Sequence, residues 1–388
     1  MPHVYGIAES AMPLVNAAAA LARDIAARRA AEVDEQARFP KESLEALADR
    51  GFLGLCLPRE SGGKGEGPRT FAAVVEEIAQ GCGSTAMVYV MHVAASQAIA
   101  ASETLAGKGE ALRDMAVGRH LTTLALSEKG SRSQFWAPVS ELVPSNDHFT
   151  LTAFKSWVTS AGHANSYVAS ARQPGASSSL ETTLFLVRPN ARGVKVAGRY
   201  DGLGLRGNDS SPVSMDALEV RRGDLLTPQG AGSKMTLEVI LPWFALGTAA
   251  MGNGLARAAV AATAAHLASA GFAHTGEKLR DLPTLRARLA QMSVRSEQSR
   301  ALLGYALGEV EEPSETTPLY VLQARLAAIE AALEVTDLAM KACGGAAFSR
   351  QLPIERLFRD ARAGWVMAPT ADHLQDFVGK ALTGLPLF

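Results

Sequence analysis

Two short stretches, far apart in the chain, carry side chains that could do chemistry. Residues 155–160 read KSWVTS, and their Trp157 and Thr159 are two positions apart in a predicted strand. Side chains at that spacing point to one face of a sheet, so the pair could form an aromatic wall with a hydrogen-bonding edge for a flat ring system. The same spacing also suits any half-buried strand, and on its own it does not choose between the two interpretations.

The second stretch, residues 359–372, reads RDARAGWVMAPTAD and begins with Arg359 and Asp360. Such a pair could belong to an active site, but buried arginine–aspartate pairs commonly serve geometry, so we favour packing of the last helices. His92 lies in an almost wholly apolar segment. It is interpreted as a hydrogen-bonded core histidine, and the alternative is a polar group on the wall of a ligand pocket.

Composition excludes several classes of protein. The 388 residues carry a formal net charge of −1, which leaves no basic surplus for a nucleic-acid partner. The cysteines Cys56, Cys82 and Cys343 are far apart and form no C-x-x-C pair, so neither a zinc site nor a disulfide framework is predicted. Because no apolar run reaches about 18 residues without a polar break and no signal-peptide pattern opens the chain, we expect a cytoplasmic protein with no membrane span.

The pattern of elements predicts an α+β fold that is mainly α: a helical domain over residues 1–120, a β domain over 121–228 and a helical domain over 229–388. Short β-branched and aromatic runs separated by Gly, Pro, Asn and Asp predict an antiparallel sheet in the middle. The G-x-G at 252–254 follows no strand, so a Rossmann motif is disfavoured. Helical spacing predicts helices over 13–29, 41–50, 70–80, 84–106, 233–270, 285–309, 317–342, 354–362 and 372–381; strands are predicted over 121–126, 149–151, 157–159, 166–171, 182–187, 194–197 and 213–220.

Four stretches, in this order, carry a resemblance to a known family. Residues 124–133 read LALSEKGSRS, 155–164 read KSWVTSAGHA and 205–210 read LRGNDS. The fourth combines GGAAFS at 344–349 with PIERLFRDA at 353–361. Together with the order helices, sheet, helices, these stretches resemble the acyl-CoA dehydrogenases over most of the chain.

That resemblance implies an FAD cofactor held between the β domain and a C-terminal four-helix bundle. It also implies a homotetramer or homodimer, a small-molecule substrate such as an acyl-CoA, and an electron-transfer or flavin-reductase partner. By the resemblance, the cofactor-binding residues are Leu126 and Ser127 at the ring, Ser133 at the pyrophosphate, Trp157 and Thr159 covering the ring, Gly344 and Gly345 where the backbone approaches closely, and Thr370.

The chain departs from the family pattern at the catalytic base. The position of the family's usual Glu, which removes the α-proton of the substrate, is Ala368, and alanine cannot accept a proton. The alternative position of the base falls near Pro242, beside Trp243, and the nearest upstream carboxylate is Glu238. The catalytic residue is therefore unknown from the sequence.

A second departure concerns an Arg and a Gln with which, in the family, a neighbouring subunit contacts the FAD pyrophosphate. Their positions fall near Phe272 and Pro283, and the side chains that could substitute are His274, Thr275, Lys278 and Arg280.

Three functions remain open at this point. The first is an FAD-dependent oxidoreductase that desaturates an acyl thioester with an atypical base. The second is a flavin-dependent monooxygenase on the same fold. Some of these monooxygenases have histidines in the loop after the last arginines, where this chain has Gly364 and Met367. The nearest histidines that could replace them are His373 and His92. The third is a catalytically silent flavin- or ligand-binding scaffold.

Overall fold

Helices form both ends of the chain and strands form the middle, in the predicted order. The computed structural model describes residues 3–387. The α+β, mainly α class is thereby confirmed. The division into domains after residues 120 and 228 stays a prediction.

The N-terminal helices pack around one buried helix, α5. It is apolar on every side and buried along most of its length, as expected for a helix inside a core. The predicted helix over 84–106 is wrong at its end, because the chain turns after Ala101 and starts a separate helix, α6. The helices are α1 (Met12–Leu21), α2 (Ala27–Glu35), α3 (Lys41–Asp49), α4 (Pro68–Gly81), α5 (Gly83–Ala101) and α6 (Lys108–Ala116), with a π-helical segment, Ala22–Ala26, between the first two.

The strands form two sheets, and one of them departs from the expectation of a purely antiparallel arrangement. In the three-stranded sheet, β1–β4–β5, the pair β1 and β4 is parallel; the four-stranded sheet, β2–β3–β7–β6, is antiparallel throughout. The two predicted runs at 149–151 and 157–159 belong largely to one long strand, β3. The strands are β1 (Thr122–Ala125), β2 (Val143–Ser145), β3 (His148–Val158), β4 (Ser166–Arg172), β5 (Thr182–Val187), β6 (Val194–Val196) and β7 (Ser211–Arg221).

The C-terminal helices are built around α8, which packs against α4, α5, α9 and α10. The continuous helix Gly232–Ser269 that contains it is long and apolar enough to cross a membrane, but its most apolar window is 78% buried inside the protein, so it is a core helix here. A π-helical segment, Thr236–Ile240, precedes α8. The helices are α7 (Gly232–Met235), α8 (Leu241–Ser269), α9 (Pro283–Glu311), α10 (Thr317–Cys343), α11 (Gly345–Phe348), α12 (Ile354–Val366) and α13 (Ala371–Thr383).

A buried polar cluster joins the start of the chain to three of these helices. The Tyr5 ring is fully buried, and its hydroxyl donates to the fully buried carboxylate of Glu76 in α4. The Asn253 amide donates to the Tyr5 hydroxyl at 3.1 Å. Arg257 and Arg300 donate to Glu76 at 2.6 and 3.1 Å, so the charge of this carboxylate is compensated where water cannot reach it.

Candidate functional site

A cavity of about 840 Å³ lies between the β strands and the helices α5, α8 and α12. This volume is within the range of small-molecule sites. One wall comes from the segment after β1, the end of β3 and the loop before β7; the other comes from the helices. Five of the eight predicted cofactor-binding residues are among the lining residues: Leu126, Ser127, Ser133, Trp157 and Thr159.

Trp157 reaches the cavity through an irregularity in β3. The register with β7 shifts between Lys155 and Val158, which is the mark of a β-bulge that re-aims a side chain. Trp157 has φ +59°, its ring is 68% exposed, and it meets Tyr200 edge-on with ring centroids 6.4 Å apart. Trp157 and Thr159 thus share the cavity, but simple strand alternation is the wrong reason, because β3 ends at Val158.

Leu126 and Ser127 are held beside the bulge by backbone pairing. The Ser156 amide donates to the Ser127 carbonyl at 3.0 Å, and Glu128 and Lys155 form an isolated antiparallel bridge. Their side chains also pair: the Lys155 ammonium, which is fully buried, donates to the Glu128 carboxylate. The two cavity segments are therefore joined by both backbone and side chain.

Glu128 is among the lining residues, but its carboxylate is buried and fully engaged by hydrogen-bond donors. It accepts hydrogen bonds from the amides of Val139 and Ser140, each at 2.8 Å, as well as from the Ser140 hydroxyl and Lys155. Burial opposes its ionisation, but the Lys155 ammonium and these donors outweigh burial and hold the pKa of Glu128 below its ordinary value. It is a structural group.

Backbone strain is concentrated around the cavity. Four non-glycine residues of its lining have positive φ: Arg132 (+50°), Ser133 (+66°), Trp157 (+59°) and Leu205 (+49°). The left-handed region is costly for residues with a Cβ, and such outliers gather at ligand sites where the surrounding structure enforces them. The clustering therefore marks this cavity as a functional site independently of any motif.

The helical wall is apolar. It presents Met87 and Met91 from α5, Ile240 from the π-helical segment, and Phe244 from α8. Short π-helical segments are frequent at functional sites. Side chains of this kind exclude water and leave the polar edge of the opposite wall to orient a ligand.

The loop after α12 closes this wall and forms what we call the floor, Met367 and Ala368. The guanidinium of Arg325 lies behind it and donates to the carbonyl oxygens of Met367 at 3.0 Å and Ala368 at 3.5 Å. It also lies over the Phe244 ring, 4.7 Å from the centroid. The alanine methyl places no acid or base at the floor.

Arg359 and Asp360 do not pair with each other. Arg359 binds Asp34 and Glu355, at 2.9 and 2.8 Å. The Asp360 carboxyl accepts the Leu205 amide at 2.6 Å. Burial raises the pKa of Asp360 to about 6. Both residues tie α12 to other parts of the chain, as the packing interpretation predicted.

Two further arginines at the cavity are not engaged by acids. Arg362 donates to the Thr336 hydroxyl and the Phe358 carbonyl at 2.8 and 2.9 Å, and neither it nor Arg132 has a carboxylate within 4.0 Å among residues 3–387. Uncompensated guanidinium groups on a cavity wall suit phosphate or carboxylate oxygens.

The lining offers no free carboxylate in the described part of the chain. Besides Glu128, its only acid is Asp201, whose side chain is 90% exposed and lies 3.6 Å from Arg206. Glu238, considered as an alternative base, is 65% exposed and faces Lys234 at 4.0 Å. Pro242 is not part of the lining.

Three predicted cofactor-binding residues lie outside this cavity. Gly344 and Gly345 lie at the exposed turn between α10 and α11, where an added Cβ would meet nothing within 4 Å. The Thr370 hydroxyl accepts the His373 amide at 3.3 Å as the N-cap of α13. Their cofactor role stays a prediction, and within one chain they do not join the other five.

The candidate histidines also lie elsewhere. His92 is fully buried, with Nε2 2.9 Å from the Leu53 carbonyl and Nδ1 accepting the Thr122 amide at 3.1 Å. Burial lowers its pKa to about 4, so it is a neutral core residue joining α5 to β1, as the favoured interpretation held. His373 stacks on Phe377, away from the cavity lining.

Sequence reasoning missed most of the helical wall. Met87, Met91 and Phe244 were recognised only as members of apolar helices, because helical spacing does not show which of several apolar faces borders a cavity. The sequence did carry one usable signal for Arg325, because it is the only charged residue between Thr317 and Ile329. A charged side chain that is buried usually has a specific partner.

Comparison with known proteins agrees with this geometry. Three family models match successive parts of the chain: the acyl-CoA dehydrogenase N-terminal domain over residues 9–119, the middle domain over 123–218 and the C-terminal domain over 230–382. Among curated proteins, the short-chain specific acyl-CoA dehydrogenase, mitochondrial, of Bos taurus is 27% identical over 346 residues, which is 88% of this chain and 82% of that protein.

Solved structures show the same fold. Butyryl-CoA dehydrogenase from Megasphaera elsdenii superposes with a TM-score of 0.92 at 22% identity, covering 97% of this chain and 99% of that one. A structure from work on the electron-transferring flavoprotein of Acidaminococcus fermentans gives a TM-score of 0.92 at 23% identity, over 97% and 98% of the two chains. The predicted resemblance is confirmed, and the chain belongs to the acyl-CoA dehydrogenase family of FAD-dependent oxidoreductases that act on CH–CH groups.

Proposed function

We propose that the protein holds FAD in the cavity of about 840 Å³ and removes hydrogen from the α and β carbons of an acyl thioester, in the first instance an acyl-CoA. The observation that carries the proposal is Trp157, an exposed ring in a strained conformation facing an apolar helical wall. An unfavourable backbone conformation at an exposed aromatic residue indicates that the ring contacts a ligand, because strained residues gather at ligand sites.

The residues present fit a flavin dinucleotide. Trp157 offers a flat wall, and the Thr159 hydroxyl, 3.0 Å from that of Ser210, has a hydrogen free for a ligand whenever Ser210 donates to it. Ser127 adds a polar group beside them. We assign Leu126, Ser127, Trp157 and Thr159 to the ring system.

The phosphates require positive charge and hydroxyl donors. Arg132 and Arg362 line the cavity without a carboxylate partner among residues 3–387, and Ser133 follows directly in the chain. We assign these three residues to the pyrophosphate, since guanidinium groups bind phosphate oxygens in a bidentate manner.

Bound FAD supplies a hydride acceptor, and the chain supplies the surroundings in which the transfer takes place. Met87, Met91 and Phe244 offer an apolar surface to the tail of the acyl group. Because the cavity lining holds no unengaged carboxylate near Ala368, we propose that the α-proton leaves to water or to another acceptor that is not a carboxylate. This is the atypical feature of the proposed reaction.

A second cavity, of about 380 Å³, continues the first. The two share Gly130 and Ser131. The loop at residues 177–179, three serines, lines the second cavity together with Gln134 and Arg172. We propose that this polar cavity takes the far end of the thioester while the acyl group lies on the apolar helical wall.

We further propose that the protein works as a homotetramer or homodimer in the cytoplasm and passes electrons to a separate partner protein. Gly344, Gly345 and Thr370 lie outside the cavity of their own chain, so we propose that they reach the FAD of a neighbouring copy. The exposed loop between α8 and α9, which holds Phe272 and Lys278, is assigned to the same contact.

The test is anaerobic titration of the purified yellow protein with a panel of saturated acyl-CoAs. We expect the visible flavin absorbance to bleach with at least one of them and the corresponding enoyl-CoA to appear. The family relatives reported above do not favour a monooxygenase; oxygen uptake with supplied reduced flavin and a hydroxylated product, without bleaching, would reverse that judgement. Absence of both reactions would leave a silent scaffold.

A further inference from the structure

A buried guanidinium that no carboxylate neutralises lies under the floor of the cavity. Arg325 of α10 is fully buried, and no carboxylate of residues 3–387 lies within 4.0 Å of it. Burial alone lowers its pKa to about 9. A buried charge is ordinarily paired, because an isolated one is costly, so this arginine calls for a specific explanation.

The hydrogen-bond acceptors of Arg325 and the aromatic ring beside it belong to the cavity lining. It holds the carbonyl oxygens of Met367 and Ala368, and its guanidinium lies over the face of Phe244. Its Nε finds no partner in the described residues. Because both carbonyl oxygens are turned toward Arg325, they are turned away from a ligand above the floor, and the floor presents no negative dipole to it.

No neighbouring acid cancels the charge. Arg325 borders a cleft of only about 10 Å³ together with Asp360 and Thr248. The Asp360 carboxyl is engaged by the Leu205 amide, and it has no resolved influence on the pKa of Arg325. The Thr248 hydroxyl is satisfied by the Phe244 carbonyl at 2.7 Å. The positive field of Arg325 therefore extends toward the cavity through Phe244 and Ala368.

We propose that Arg325 is a positioning residue that shapes the floor and favours negative charge on a thioester lying above it. When the α C–H bond of such a thioester breaks, the electron pair spreads onto the thioester oxygen as an enolate and the proton passes to water. A fixed cation behind a dry, preorganised wall stabilises that charge without reorganisation. This inference rests on the proposed function, because it concerns the same ligand.

The test uses acetoacetyl-CoA, whose enolate is seen by its own ultraviolet absorbance and whose ionisation does not need turnover. The FAD-saturated protein is titrated at saturating ligand over the pH range below the pKa of about 9 of Arg325, where its guanidinium keeps its proton. The pKa of the bound ligand is compared with that of the free ligand. We expect wild-type protein and Arg325→Lys to lower it, and Arg325→Gln, which can still donate to one carbonyl, to leave it higher than wild type by about one pH unit or more.

Arg295→Gln is the matched control, because Arg295 of α9 pairs with Glu330 and Glu334 and lies away from the cavity lining. Equal ligand pKa values in wild type and Arg325→Gln would overturn the proposal. If Arg325→Gln does not fold, Arg325→Met takes its place, because it keeps an unbranched side chain without a charge, and a ligand pKa equal to that of wild type would likewise contradict the proposal. Bleaching by a saturated acyl-CoA with no shift for acetoacetyl-CoA would retain the function and reject the role of Arg325; failure of both thioesters to bind would reject both.

Discussion

Single residues determine how this cavity differs from an ordinary crevice. The ring of Trp157 is presented by a bulge and a positive φ, and Ala368, which we propose to stand at the position of the family's carboxylate, contributes only a methyl group to the floor. The first feature concerns holding a ring, and the second concerns removing a proton. They can therefore be tested separately.

Replacement of Trp157 by glycine should separate ligand binding from folding. Glycine adopts φ +59° without a Cβ penalty and little buried area is lost, so we expect the free energy of unfolding without FAD to change by no more than about 1 kcal/mol. The dissociation constant for FAD should rise about tenfold through loss of the aromatic wall, as measured by fluorescence titration. Tyr305→Ala, at a half-exposed ring of α9 outside the cavity lining, should leave FAD affinity unchanged; equal affinities for all three proteins would contradict the assignment.

If Ala368 stands at the position of the family's base, as we propose, its replacement by glutamate should supply a base. The new carboxylate would enter the cavity from a floor that already lies over Arg325, whose charge favours its ionised form. We expect the rate of flavin bleaching by a saturated acyl-CoA to rise at least about tenfold, within the usual range for general-base catalysis. Ala368→Gln, of similar size but unable to take the proton, should not accelerate it. An inert glutamate variant that still binds FAD and acyl-CoA would show that the floor is used differently.

At the scale of elements, the helix α12 controls the site from two sides. Arg362 faces the cavity, while Asp360 binds the Leu205 amide on the loop before β7. Burial raises the pKa of Asp360 to about 6, above the value in an unfolded chain. The folded protein therefore keeps a proton that the unfolded chain releases between about pH 4 and 6, and stability contributed by this group is lost as pH rises through that window.

Asp360→Asn should remove this dependence while keeping an acceptor for the Leu205 amide. The free energy of unfolding of the variant, relative to wild type, should increase by about 3 kcal/mol from pH 4 to pH 7, which corresponds to a shift of about two pH units. Urea unfolding at several pH values measures it. Asp201→Asn changes an acid whose side chain is 90% exposed, and its free energy of unfolding should depend on pH as that of wild type does. The same pH dependence for Asp360→Asn would contradict the prediction.

The elements were largely predictable from the sequence, but the cavity was only partly so. The helical spacing of apolar residues, together with the Gly and Pro residues between segments, located most helices, because each is long and has a strong apolar face. The parallel pairing of β1 with β4 was missed, since pairing partners 44 residues apart in the chain leave no local signal. Trp157 was identified through a motif, whereas the bulge that presents it follows from how β3 meets β7. Arg325 was missed because its importance comes from a loop 42 residues later.

At the scale of the whole molecule, large apolar side chains remain uncovered on neighbouring helices α11 and α12. Phe348 is 83% exposed, and Trp365 is 53% exposed. Exposed apolar side chains gathered on adjoining elements commonly mark an interface. The turn with Gly344 and Gly345 begins α11, so the same surface holds the two glycines that we assign to a neighbouring cofactor.

Phe348→Glu should therefore weaken the oligomer. A charge placed at a position that becomes buried between copies is strongly unfavourable, and we expect size-exclusion chromatography with light scattering to show a smaller species than wild type. Val143→Glu, at a position 55% exposed on β2, is the control and should keep the wild-type mass. An unchanged mass for Phe348→Glu would place the interface elsewhere.

The buried Tyr5 has a consequence for the order of assembly during synthesis. Its hydroxyl acceptor lies 71 residues further along the chain and its amide donor 248 residues further, and the guanidinium over its ring belongs to Arg300. Because all of these partners are translated after it, this tyrosine cannot take its final place until the chain as far as Arg300 has left the ribosome. Closure of the helical core around Tyr5 is thus a late event, and a nascent chain halted before residue 300 should leave the segment around Tyr5 open to protease.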